Sequence, residues 1–368
     1  MRILFSSTLA FGHLLPMLPL AAAAGRAGHE TALLTHPSMG DTAPMMRLLA
    51  AGPTVPEALA DVQRRVGIDA TAVFFRGVVE FFVESRLRLG AADALARARD
   101  FGPDLIVADL VDFLGPLAAA DLDVPWAVHG ASLPLAEPLA SMVEEAAAAR
   151  FADYDATRTE PVAYIDPWPD SLLRPADIYP AKRIPARPEP HSDGRESWTR
   201  PRFAGREGQP LVLVTLGTVV EDPAALAAVL ASLARLDVNV IAAPHPTAQL
   251  DAQEMSTDGV HLAGFVPMRL LLDEVDVMVS AGGAGTVLSA LSAGRPMVLL
   301  PMGLDKPVNA ERVAAAGAAQ VVATPAEVGA AVAKVLADPS FATGSARVAG
   351  EIAAMNSADE VLDLLMHI

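Results

Sequence analysis

The sequence predicts an α/β protein of two doubly wound parallel-sheet domains facing across a cleft. Three observations carry that prediction. Short apolar runs such as Arg2–Ser6, Glu30–Thr35 and Pro103–Asp109 alternate with alanine-rich stretches, the βαβ pattern of a parallel sheet. The pattern halts in a proline-dense, polar stretch and restarts at Leu211. Val275–Val279 then runs into Gly282-Gly283-Ala284-Gly285, a glycine turn that feeds a helix.

Taken in order, Arg2–Ser6 is the first strand, Ser7–Pro16 a loop, and Met17–Ala27 a helix that ends at Gly28, a C-cap signal. Glu30–Thr35 is the second strand, and Pro37–Gly67, rich in Pro, Gly and Met, is irregular. Ala70–Arg99 is helical. Pro103–Asp109, Leu114–Leu122 and Pro125–His129 follow as strand, helix and strand, and Pro134–Arg150 as a helix. Tyr164–Pro190 is dense in proline. The second half reads as strand Leu211–Leu216, helix Pro223–Arg235, strands Val238–Ala242 and Val260–Ala263, and a short helix Met268–Leu272. Val275–Val279, helix Val287–Ala293 capped by Thr286, strand Pro296–Pro301, and closing helices Val328–Leu336 and Ser345–Leu365 complete it.

Composition narrows the partners. The chain is 52% apolar and 19% charged, with a formal charge of −17, which argues against a polyanion such as nucleic acid. Cysteine is absent, so disulfides and thiolate metal sites are excluded, and no convincing acidic metal cluster is visible. Ile3–Gly25 superficially resembles a secretory leader. Its n-region is a single Arg, and Gly12-His13 and two prolines interrupt the apolar run, so the expectation is a cytoplasmic protein without stable membrane insertion. The chain holds no signal that decides whether it forms a homodimer.

Several residue types point to chemistry. The turn at Gly282–Gly285 exposes backbone N–H groups at a helix start, where the dipole favours a phosphate. Asp305, Lys306 and Asn309 are delivered to the same sheet edge, and phosphate donors beside a carboxylate and an amide suit a nucleotide-sugar. Read alone, the same turn can be only a tight connection. His13 lies on the ligand-facing loop after the first strand. The helix start disfavours its cation, leaving a neutral base for an alcohol, or the residue merely caps the helix. Asp109 ends a strand at the same edge and can orient that imidazole; Asp112 competes for the role, and an N-cap role is the plain alternative. The cluster Phe74, Phe75, Val78 and Phe82 lines an apolar acceptor pocket or packs as core.

Together, FGHLLP at Phe11–Pro16, PDLIVAD at Pro103–Asp109, TLGT at Thr215–Thr218, GFVPMRLLL at Gly264–Leu272, AGGAGT at Ala281–Thr286 and DKPVNAERV at Asp305–Val313 resemble the GT-B glycosyltransferases. The likeness is to the bacterial natural-product group, related to the UDP-glycosyltransferases. It spans essentially the whole chain. It implies Rossmann-like domains: an acceptor domain at 1–190, a linker at 191–208, and a donor domain at 209–368 whose last helix, about 345–365, returns to the first domain. It implies His13 as general base and Asp109 as its orienting acid. Donor contacts are implied at Gly12, Gly217, Thr218, Phe265, Val266, Ser280, Gly282, Gly283, Gly285, Thr286, Asp305, Lys306 and Asn309.

The implied reaction is an inverting, metal-independent transfer. A (deoxy)sugar passes from a TDP- or UDP-sugar, a co-substrate rather than a cofactor, to a hydroxyl of an apolar aglycone such as a polyketide antibiotic. Two departures from the family stand out. Ala281 occupies a position where family members usually carry His, and Lys306 replaces a usual glutamine. Lysine cannot accept a hydrogen bond, so sugar placement should differ. The competing functions are a catalytically weak nucleotide-sugar-binding partner and another GT-B enzyme, a hexosaminyltransferase or epimerase. A nicotinamide oxidoreductase is disfavoured because Phe5–Gly12 lacks GxGxxG.

Overall fold

A computed structural model describes residues 1–70, 73–190, 198–216, 223–244, 259–263, 266–272 and 274–368. They form two compact units. One comprises Met1–Pro167, Arg174–Ala186 and Asn356–Ile368; the other comprises Trp168–Leu173 and Arg187–Met355. No described helix is long and apolar enough to cross a membrane.

The first unit is built on seven described strands in the order β3-β2-β1-β4-β5-β6-β7. These are β1 Arg2–Ser6, β2 Glu30–Thr35, β3 Arg47–Ala50, β4 Leu105–Asp109, β5 Trp126–His129, β6 Ala163–Asp166 and β7 Arg183–Pro185. Every pairing is parallel. The central strands are apolar on both faces because both faces are covered: all of β4 is buried, as are Ile3, Leu4 and Phe5 of β1. One face packs against Val83, Leu87, Leu114 and Leu117, the other against Leu14, Met17, Leu18 and Leu20. Each such buried side chain contributes roughly 1.5–3 kcal/mol relative to exposure.

Three segments depart from the sequence reading. Within the stretch expected to be irregular, Arg47–Ala50 is a strand and Val55–Val66 a helix, started by a Thr54–Glu57 capping box and stopped at Gly67 with φ +67°. The T-x-x-E signal was present in the sequence. In the proline-dense stretch, Ala163–Asp166 and Arg183–Pro185 are the last two strands; β7 is an edge strand, where proline is tolerated. The helical stretch beyond Val73 is not a single α-helix. Phe74–Val78 passes into a π-helical turn over Val79–Ser85, then into the α-helix Arg86–Phe101.

The second unit has six described parallel strands in the order β10-β9-β8-β11-β12-β13. They are β8 Leu211–Thr215, β9 Asn239–Ala242, β10 Val260–Leu262, β11 Val277–Ser280, β12 Met297–Leu299 and β13 Ala319–Val321. The helix after β11 spans Ala284–Ser292, three residues earlier than its sequence signal, with Gly283 as N-cap. Thr286 therefore sits in the first turn and does not cap it. The expected helix Ser345–Leu365 is two helices, Pro339–Ala353 and Ala358–Met366. The second starts at a Ser357–Glu360 capping box and packs in the first unit against Leu18–Arg26, with Arg26 Nη2 2.8 Å from Asp359 Oδ1.

Candidate active site

Both strand orders reverse direction beside their first strand, between β1 and β4 and between β8 and β11. In doubly wound sheets ligands bind outside the carboxyl ends of the strands at that switch point. The predicted site residues concentrate at these two places.

In the first unit, β1 exits through Ser7–Ala10 into a helical turn, Phe11–Leu14, that continues by a 3-10 turn into Leu18–Arg26. The stretch expected to be a loop is thus helical from Phe11, and His13 lies in its first turn beside Gly12. Its Nδ1 is 2.9 Å from Asp109 Oδ1, at the end of β4. The His13 side chain is 24% exposed and that of Asp109 is fully buried. An ionised carboxylate can only accept, so the ring is assigned with its proton on Nδ1 and with Nε2 as the proton-accepting nitrogen. Among the described residues Asp109 Oδ2 has no hydrogen-bond partner. The Asp112 carboxylate is engaged elsewhere: it accepts from Ser6 Oγ, Arg86 Nε and the Gly115 N–H.

The four expected acceptor residues divide. Phe82 is half-buried, its ring centroid 6.1 Å from that of His13, and Phe81 packs edge-on against it at 4.8 Å. Val78 belongs to the core. Phe74 and Phe75 lie against each other on the surface, 43% and 45% exposed. The wider π-helical turn, which takes Phe82 off the register a continuous α-helix would give it, is anchored by polar contacts. Arg65 donates to Asp61 Oδ2 (2.7 Å), Glu80 Oε2 (2.7 Å) and Ser85 Oγ (2.9 Å), and Ser85 Oγ donates to Asp61. Burial raises the Asp61 pKa, and the hydrogen bonds from Arg65 and Ser85 outweigh it, so the carboxylate stays ionised.

In the second unit the site is made of backbone. Ser280, buried at the end of β11, accepts the Gly282 N–H at 3.1 Å. Gly282 has φ +87°, a left-handed conformation that side chains resist. Gly283 caps the following helix and supplies no side-chain acceptor to its first-turn amides. A Cβ at Gly283 or Gly285 would meet no atom of the described residues within 4 Å. Ala281, which the sequence resemblance sets where related chains usually carry His, is buried in the core.

Asp305, Lys306 and Asn309 pack behind this turn. Asn309 is fully buried, its Nδ2 donating to Gly282 O (3.0 Å) and Asp305 Oδ2 (2.8 Å), while its Oδ1 has no partner among the described residues. Lys306 is 5% exposed and donates from Nζ to Met302 O at 3.1 Å. Burial lowers its pKa, with Asp305 pulling the other way. Asp305 is half-buried. Asn309 thus holds the glycine turn from within, and Lys306 braces its own loop through Met302 O, tertiary roles that sequence spacing does not signal. Val266 is half-buried before the helix Met268–Leu271. Gly217, Thr218 and Phe265 lie outside the described residues. Among the described residues no group of three or more His, Cys, Asp or Glu could hold a metal.

Two doubly wound parallel-sheet units, each with such a switch point, are the elements of the GT-B fold. The chain resembles the SsfS6 glycosyltransferase of Streptomyces sp. SF2575, solved with thymidine diphosphate, at a TM-score of 0.83 and 26% identity over 100% of both chains. The model of the erythromycin biosynthesis protein CIII-like C-terminal domain matches residues 227–368. The L-demethylnoviosyl transferase of Streptomyces niveus is 30% identical over 86% of this chain and 84% of its own. The 3-alpha-mycarosylerythronolide B desosaminyl transferase of Saccharopolyspora erythraea is 26% identical over 99% of this chain and 97% of its own. This chain belongs to that family, the antibiotic glycosyltransferases.

Proposed function

We propose that the enzyme transfers a deoxysugar, with inversion, from a thymidine or uridine diphosphate-sugar to a hydroxyl of an apolar natural-product aglycone. The observation that carries this reading is the 2.9 Å His13–Asp109 contact at the β1/β4 switch point, with an aromatic ring beside it. The acceptor hydroxyl gives its proton to His13 Nε2 as its oxygen attacks the anomeric carbon from the face opposite the nucleotide. Asp109 holds the imidazole and stabilises the imidazolium that forms. The anomeric carbon–oxygen bond breaks and the nucleoside diphosphate leaves with both electrons. Its growing charge is met by the amides and dipole at the start of Ala284–Ser292. Phe82 supports an apolar acceptor. The thymidine diphosphate held by the SsfS6 structure favours a thymidine donor.

The test is a thermal-shift panel of thymidine and uridine diphosphates and their sugars, followed by mass spectrometry with polyketide and macrolide aglycones. A ligand that binds only the folded state at 100 times its Kd stabilises by about 2.7 kcal/mol. Selective stabilisation together with a glycosylated product is expected. Stabilisation without product from any pair would favour a nucleotide-sugar-binding partner protein.

A further inference from the structure

Two residues outside the His13–Asp109 pair join the loops that carry it. Arg86 opens the helix Arg86–Phe101 and is buried. Its Nε donates to Asp112 Oδ1 at 2.5 Å, and its Nη2 donates to the main-chain oxygen of Ser7 at 2.8 Å. Asp112, also buried, lies three residues beyond Asp109. Its Oδ2 accepts from Ser6 Oγ and from the Gly115 N–H, and its own N–H donates to Asp109 O at 2.9 Å. One guanidinium–carboxylate pair therefore spans the exit of β1, the exit of β4 and the end of the π-helical turn that carries Phe82.

The surroundings reserve space for this pair. A Cβ at Gly115 would come 2.7 Å from Ser6 Cβ, and one at Gly52 would come 2.8 Å from Arg86 Nη1. A buried ion pair is costly to desolvate and is a poor stabiliser compared with apolar packing, so its presence calls for another benefit. Here its remaining hydrogen-bonding capacity goes to the two loops and not to a second charged group.

We propose that Arg86 and Asp112 are positioning residues: through Ser6, Ser7 and the Asp109 main chain they fix the spacing of the β1 and β4 loops and so keep His13 Nδ1 in register with Asp109. The proposal rests on the reading of His13 as general base. Arg86→Lys keeps the charge but cannot reach Asp112 and Ser7 O together, because lysine is a point charge on a flexible stem. The decisive readout is the low-field proton resonance of the imidazole Nδ1–H in the unliganded full chain, assigned by its loss in His13→Ala. Unfolding is followed by circular dichroism.

The expected result is a folded Arg86→Lys protein whose low-field resonance is broadened or lost. With an active pair from the donor panel, kcat should fall by about 10- to 100-fold at nearly unchanged donor KM. A folded variant with resonance and kcat intact overturns the proposal. If Arg86→Lys does not fold, Asp112→Asn receives the same measurements. Failure of both to fold assigns the pair to stability alone and also overturns it. Should His13→Ala retain turnover, the base assignment fails, yet the resonance in Arg86→Lys still reports whether the pair aligns the imidazole with Asp109.

Discussion

The two sheets share one strand order about their first strand, yet their switch points present opposite kinds of groups. At β1/β4 the groups presented are side chains: an imidazole, a buried carboxylate and an aromatic ring. At β8/β11 they are backbone: a left-handed glycine, a bare N-cap and first-turn amides, with buried Asn309 bonded to the turn from behind. The contrast teaches that a doubly wound fold supplies a place, and the loop residues decide what happens there. A group that must move a proton has to be a titratable side chain. A group that must hold a diphosphate does well as fixed dipoles with no Cβ in the way.

Substitution at each switch point sharpens this contrast. His13→Ala should have the largest effect, lowering kcat by about 10²- to 10⁴-fold, while the thermal shift given by thymidine diphosphate stays unchanged. Loss of nucleotide binding in that variant would break the division of labour between the units.

The next effect is confined to the first unit. His129, buried at the end of β5, has its pKa pushed down to about 4 by burial, against an opposing backbone hydrogen bond at Gly130. Its unfolded value is near 6.5, so between those limits only the unfolded chain binds the proton. The stability it contributes is complete above pH 6.5 and is lost as pH falls to 4, by up to about 3 kcal/mol. Urea melts across that window should show the loss, and His129→Gln should flatten it. An unchanged slope in His129→Gln would remove His129 as the acid-sensitive group.

The smallest change tests the backbone site. Gly283→Asp fits a φ of −62°, and its Cβ meets no atom of the described residues, so it should raise stability by a few tenths of a kcal/mol as a better N-cap. Its carboxylate would occupy the helix start, and nucleotide affinity should drop about tenfold or more by calorimetry. Unaltered affinity would move the diphosphate away from this turn.

Much of the fold was legible because its central strands are buried on both faces and read as unbroken apolar runs. Glu30–Thr35 and Leu114–Leu122 have the bounds their composition announces. The peripheral strands Arg47–Ala50, Arg183–Pro185 and Ala319–Val321 were not legible. Each is short, and the sheet around it does more to make it a strand than its own periodicity. Of the candidate site, His13 and Asp109 could be named from their places after β1 and β4. The choice between Asp109 and Asp112 could not, since it depends on which carboxylate Arg86 and Ser6 claim.

By itself the sequence determined the class of fold, the glycine turn before a helix and the presence of a base and an acid on one sheet edge, because these follow from local periodicity and residue chemistry. Tertiary structure alone decided that Asp109 meets His13, that Phe82 stands beside it while Phe74 and Phe75 face solvent, and that Lys306 and Asn309 turn inward. Those outcomes depend on contacts between residues far apart in the chain, whose distances no local pattern encodes.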